Sequence, residues 1–222
     1  MNKRVLVVVA HADDEVLGCG GAIARHRAEG DIVEIAILSD GVSSRGIQGD
    51  EVQVRRDAAE AAASVLDVSN LHFFSFPDNS FDTISILDLT QTIEALVASF
   101  LPTLVYTHFC EDLNVDHRRV SEAVTTACRP MPGKSVKEVR MMEVLSSTEW
   151  RFQQSKCFFP DLYIDISTTM EKKLEALHCY DEEMRDYPHA RSYQALENLA
   201  QYRGATVGFD AAEAFKTVYR IE

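Results

Sequence analysis

The chain has 222 residues, 46% hydrophobic and 26% charged, with a formal net charge of −13. That length and balance suit one soluble domain with a substantial core, and the negative charge excludes a nucleic-acid backbone or an anionic membrane as the main partner, because either rewards a basic surface. No apolar run reaches the roughly 20 residues of a membrane span, and the opening MNKRVLVVVA shows no cleavage signature, so the expectation is a cytoplasmic protein with no membrane and no nucleic acid among its partners.

Short apolar runs alternate with amphipathic stretches along the chain. A strand is predicted at 4–10, a helix at 16–29 stopped by Gly30, a strand at 31–39, and a glycine-rich loop at 40–50 that lacks phosphate-loop spacing. An Ala-faced helix at 51–66, a strand at 71–74, a loop at 75–83, a helix at 84–100 ending before Pro102 and a strand at 103–107 follow. Beyond them come a helix at 117–128, a loop at 130–137, a strand at 139–145, a loop at 146–160, a strand at 161–165 and a helix at 169–185. A helical pair at 192–203 and 211–217 completes a C-terminal helical segment at about 169–222. Strands followed by crossover helices predict an α/β fold: a doubly wound, mostly parallel sheet with helices on both faces, whose ligands bind beyond the carboxyl ends of the strands. No linker or repeat divides residues 1–222, so they are expected to form a single domain. Five scattered cysteines without a C-x-x-C pair argue against a disulfide framework.

Two of the predicted strands end in chemistry-bearing clusters. The run VLVVVA leads into HADDE, with His11, Asp13, Asp14 and Glu15; LVYTH is followed by DLNVDHR, with Asp112, Asn114, Asp116 and His117. His11 and Asp14 can turn toward one point if the chain bends into a helix, and His117 would be a third ligand, leaving an open position for water as in catalytic zinc sites. Asp13 cannot readily share that ion, but it can accept a proton from water whose pKa the metal lowers to roughly 7. Standing alone, the acids of HADDE would read equally well as a helix N-terminal cap. Their pairing with the second cluster favours the metal reading.

AHADDEVLG, the later SDG, the RRDAAEAAASVLDV helix and THFCEDLNVDHRRV together resemble the PIG-L/LmbE-like zinc-dependent N-deacetylases. The resemblance implies a Rossmann-like fold, one Zn2+ per chain held by His11, Asp14 and His117, and Asp13 as general base in removal of an acetyl group from a small amino-sugar substrate, free, nucleotide-linked or in a glycoconjugate. It also implies a homo-oligomer, although no apolar stripe here identifies an interface. The His₂Asp donor set would accept iron or cobalt as well, and zinc is preferred on ligand type and family. Rival readings are a non-catalytic nucleotide- or sugar-binding module that uses the acids as caps, and a hydrolase of a different amide.

One departure from the family pattern is Asn114, which stands where several members carry a second catalytic histidine. An amide can donate a hydrogen bond but cannot protonate a leaving group. The missing imidazole is sought in His189 of YPHARS or His108 of LVYTH, with His189 preferred because a polar Pro-His-x-Arg-Ser run is poorly explained as core packing. Arg55, Arg191, Asp40 and His108 are candidate substrate-binding residues, and Asp78 a further one. Asp112 and Asp116 are candidate partners of a ligand imidazole, and Trp150 a candidate sugar-stacking ring.

Overall fold

The computed structural model describes residues 2–41, 50–152 and 157–222. Most of the glycine-rich loop predicted at 40–50, and the middle of the loop at 146–160, therefore lie outside the described residues.

β1 (Arg4–Val9), β2 (Ile32–Ser39), β3 (Asn70–Phe76), β4 (Leu104–His108) and β5 (Glu138–Met142) pair in parallel in the order β3-β2-β1-β4-β5. Side chains of β1 alternate between two cores: Val5, Val7 and Val9 enter one, Leu6, Val8 and Ala10 the other. A strand buried on both faces reads as an unbroken apolar run, which is why VLVVVA shows no alternation in sequence. Helices α1 (Asp14–Ala28), α2 (Asp50–Val65) and α5 (Met170–His178) contribute to the first core, and α3 (Ile86–Phe100) and α4 (Val115–Ala127) to the second. Strand order reverses direction between β1 and β4, and the crevice beyond their carboxyl ends is where such a sheet receives a ligand.

The C-terminal segment departs from its prediction. Residues 212–220 form β7 (Ala212–Arg220), antiparallel to β5 on one side and to β6 (Leu162–Asp165) on the other, and not a second helix beside α6 (Tyr193–Ala205). The Ala-rich opening AEAF favours a helix, but Thr217, Val218 and Tyr219 suit a strand, and the open slot between β5 and β6 decides the conflict. The helix predicted at 169–185 is also shorter, ending at His178 and followed by a 3-10 turn at Asp181–Glu183.

The GCGG run in α1 has a packing role. Cys19 leaves helical geometry (φ −149°, ψ 23°), and the freed amides of Gly21 and Ala22 donate to the carboxylate of Glu213 at 2.9 and 2.7 Å. Lys173 reaches the same carboxylate at 2.6 Å and the Leu17 carbonyl at 2.9 Å, so a buried ion pair joins α1, α5 and β7. A Cβ on Gly21 would lie 2.8 Å from Ile166 Cγ2, which accounts for glycine there.

Candidate metal centre

His11 and Asp13 lie between the end of β1 and the start of α1, and Asp14 opens that helix. His108 closes β4, Asn114 caps α4, and His117 sits in its first turn. Three donor atoms converge: His11 Nδ1 and His117 Nε2 each lie 3.2 Å from Asp14 Oδ2, and 3.3 Å from each other. Zinc bonds of 2.0–2.1 Å in a tetrahedron set donors about 3.3 Å apart, so this triangle fits the ion's size. The second Asp14 oxygen is buried without a hydrogen-bond partner.

Carboxylates aim both imidazoles. His11 Nε2 lies 3.1 Å from Asp116 Oδ2 and 3.1 Å from Asp78 Oδ1, while His117 Nδ1 lies 3.2 Å from Asp112 Oδ1. Such contacts on the outer nitrogen turn the inner one toward a shared point. The carboxylates are anchored in turn: Asp116 accepts from the amides of Asn79 (2.7 Å) and Phe81 (2.9 Å), and Asp112 from Thr148 (2.6 Å) and the Ser147 hydroxyl.

Charge in the cluster favours a cation. Burial alone would lower His117, but Asp14 and Asp112 raise it to about 9; burial likewise opposes His11, which Asp116, Asp14 and Asp78 hold well above the usual imidazole range. Burial would lift Asp14, yet the neighbouring histidines hold it well below an ordinary carboxylate. The carboxylates thus draw protons onto the two imidazoles, and a metal ion displaces such protons when it binds.

Beside the triangle lies a cavity of about 160 Å³ whose walls include Asp13, Arg55, Asn114, Ser147, Glu183 and Arg191. Asp13 adopts φ 115°, a left-handed conformation that costs a non-glycine residue about 1–3 kcal/mol and is tolerated mainly at functional sites. Its side chain makes no capping bond to α1 and instead accepts from Arg191 Nη1 at 2.8 Å. Burial pushes the Asp13 carboxyl up to about 6 against the opposing pull of Arg191.

Residues 6–128, more than half the chain and including all three donors of the triangle, match the family described as PIG-L: GlcNAc-PI de-N-acetylase. The chain belongs to the PIG-L family. It is 25% identical over 203 residues to the probable N-acetyl-alpha-D-glucosaminyl L-malate deacetylase 2 of Bacillus cereus, covering 86% of this chain and 90% of that one. Its fold matches the crystal structure of a conserved protein from Thermus thermophilus with a TM-score of 0.80 at 22% identity, over 99% of this chain and 96% of the other. The 4-carboxy-2-hydroxymuconate hydratase of Pseudomonas putida superposes with a TM-score of 0.78 at 25% identity, over 99% and 98% of the two chains.

Several other PIG-L site expectations meet a different geometry. His108, expected to bind substrate, has no exposed surface: strand alternation turns it inward, where Ala10 N–H donates to its Nε2 at 2.9 Å and its ring stacks on His117 at 3.8 Å. Burial, seconded by His117, lowers its pKa to about 3, so it is a neutral wall behind the triangle that cannot touch a substrate. Asn114 lines the cavity, but its carbonyl oxygen accepts from the amides of Asp116 and His117 as the cap of α4. His189 is exposed, does not line the cavity, and accepts from the Arg191 amide at 3.0 Å while meeting Trp150 edge-on at 5.5 Å. Trp150 and Asp40 also lie outside the cavity wall. Arg55 lines it and pairs with Glu183.

Ser147, Thr148, Glu183 and Tyr180 were not anticipated. For the first two a signal existed: SST follows EVRMMEVL just as HADDE and DLNVDHR follow their strands.

Proposed function

We propose that this protein is a zinc-dependent N-deacetylase that releases acetate from an N-acetylated amino-sugar substrate, with residues 1–222 acting as one domain. The observation that carries the reading is the triangle of His11 Nδ1, Asp14 Oδ2 and His117 Nε2 beside the Asp13 carboxylate, in a chain of the PIG-L family. His11, Asp14 and His117 would hold the ion, with Asp78, Asp112 and Asp116 fixing the imidazoles. The chemistry that zinc would supply there is polarisation of the amide carbonyl and a water acidic enough to ionise near neutrality.

Asp13 takes the proton of the attacking water and returns it to the departing amine, so one carboxylate serves as base and then as acid. Arg191 holds that carboxylate in the cavity through its 2.8 Å contact. Arg55 and Glu183 supply a donor and an acceptor to sugar hydroxyls, and Asn114 presents its amide group at the wall. Of the two auxiliary imidazoles considered, His189 keeps the proposed role of exchanging protons with solvent, supported by its exposure and its bond to the Arg191 amide. His108 has no such access. Amino-sugar recognition is supported by the family description and by the Bacillus cereus relative.

A second reading, addition of water to a carbon–carbon double bond, is favoured by the Pseudomonas putida hydratase at 25% identity. The deciding experiment is elemental analysis of protein purified without chelator, beside His11→Ala, followed by amine release from N-acetylglucosamine and its glycosides. The expected result is about one zinc per chain, lost in the variant, with amine and acetate formed in equal amounts. Bound zinc without amine release would turn attention to hydration, and absence of metal even after zinc is offered would leave the acids of HADDE as a helix cap.

A further inference from the structure

Glu15 is the acid of HADDE that the reaction above leaves without a part. It is only 2% exposed, and its carboxylate folds back over the start of α1. Asp13 N–H donates to Glu15 Oε2 at 3.1 Å, and the Tyr180 hydroxyl donates to Glu15 Oε1 at 2.6 Å. Tyr180, in the turn after α5, is itself buried.

The geometry of Asp13 explains what this contact can do. An aspartate at a helix start ordinarily turns its carboxylate onto the first free amides of that helix. Here the left-handed backbone at φ 115° prevents it, and no capping bond is made. The same backbone points the Asp13 amide at Glu15, and a buried amide without an acceptor would disfavour the conformation. Loss of that acceptor would let Asp13 relax toward ordinary helix geometry, and its carboxylate would leave the cavity.

We propose that Glu15 and Tyr180 are positioning residues for Asp13: Tyr180 fixes the Glu15 carboxylate, which fixes the Asp13 amide and so keeps the Asp13 side chain facing the cavity beside His11, Asp14 and His117. The effect on turnover rests on the deacetylase reading, in which Asp13 is the base. The effect on the Asp13 backbone does not.

The test compares Glu15→Ala, Glu15→Gln and Tyr180→Phe in the zinc-loaded protein. It measures kcat, KM, metal content, melting temperature and hydrogen exchange of the Asp13 amide. Misplacement of a reacting group by an ångström can cost about 100-fold, which is the loss of kcat expected for Glu15→Ala with KM and metal content unchanged. Tyr180→Phe removes one hydrogen bond and keeps the ring, so about a fivefold loss is expected, and it keeps the test open if the alanine variant folds poorly. Glu15→Gln retains an oxygen for the Asp13 amide and should recover most of the rate. Exchange of that amide should quicken most in the alanine variant and least in the glutamine variant.

Wild-type kcat in both Glu15→Ala and Tyr180→Phe would overturn the proposal, as would a loss that only follows metal content or folded fraction. A glutamine variant as poor as the alanine one would do the same. If the wild-type protein releases no amine at all, the deacetylase reading fails by itself. Unchanged Asp13 amide exchange in the alanine and phenylalanine variants would then sink the positioning role on its own terms.

Discussion

Asp13 and Asp14 are adjacent in sequence and opposite in environment. Asp14 lies between the imidazoles of His117 and His11, which hold it ionised, whereas burial lifts Asp13 to about 6. Asp13→Asn should therefore retain the metal and lose at least about 100-fold in kcat, as expected for removal of a general base; elemental analysis and steady-state rates on one preparation check both halves. Because a general base works deprotonated, the proposed role of Asp13 requires kcat/KM to fall on acidification, with the descending limb at or below pH 6, since a bound cation would pull the Asp13 pKa further down. Removing a supporting carboxylate, Asp112→Asn or Asp116→Asn, should weaken metal affinity about 10–100-fold, read by competition with a chromophoric chelator. The three side chains that converge were legible in HADDE and DLNVDHR because each cluster is local and follows a strand. Tyr180 and Glu183 were not, since their meeting with Glu15 and Arg55 spans more than 100 residues of chain and leaves no spacing to read.

Elements were legible wherever burial imposes one period. β1 and β4 read as short apolar runs, and α3 ends at Phe100 as Pro102 requires. β7 was misread because its first half carries helix-favouring residues, and its strand state depends on partners far away in sequence. The same strand supplies Glu213, whose pairing with Lys173 could not be inferred from either segment. Breaking a buried ion pair by removing one partner typically costs 3–5 kcal/mol. Lys173→Met should therefore lower the unfolding free energy by about 3 kcal/mol, because Glu213 keeps the Gly21 and Ala22 amides. Urea denaturation of wild type and variant measures this. A shift well under 1 kcal/mol would mean that the pair contributes little to holding the break in α1.

Across the whole molecule, metal binding and folding should be linked through protons. In the metal-free protein His117 is raised from 6.5 to about 9, so its stabilising charge is fully present below pH 6.5 and is lost as pH rises through 9. Metal binding has the opposite sign, since the ion must displace those protons and gains affinity as pH rises. Chelator-treated protein should thus lose stability between pH 6.5 and 9 while the zinc-loaded protein does not, a contrast that thermal melts across that window would reveal. Order of synthesis gives the sheet a further property. The five parallel strands and the three donors of the triangle are complete by residue 142, whereas β6 has no partner until β7 has been made. A nascent chain therefore carries the half of the sheet that bears His11, Asp14 and His117 long before Arg191 exists to line the cavity and Glu213 to hold the break in α1.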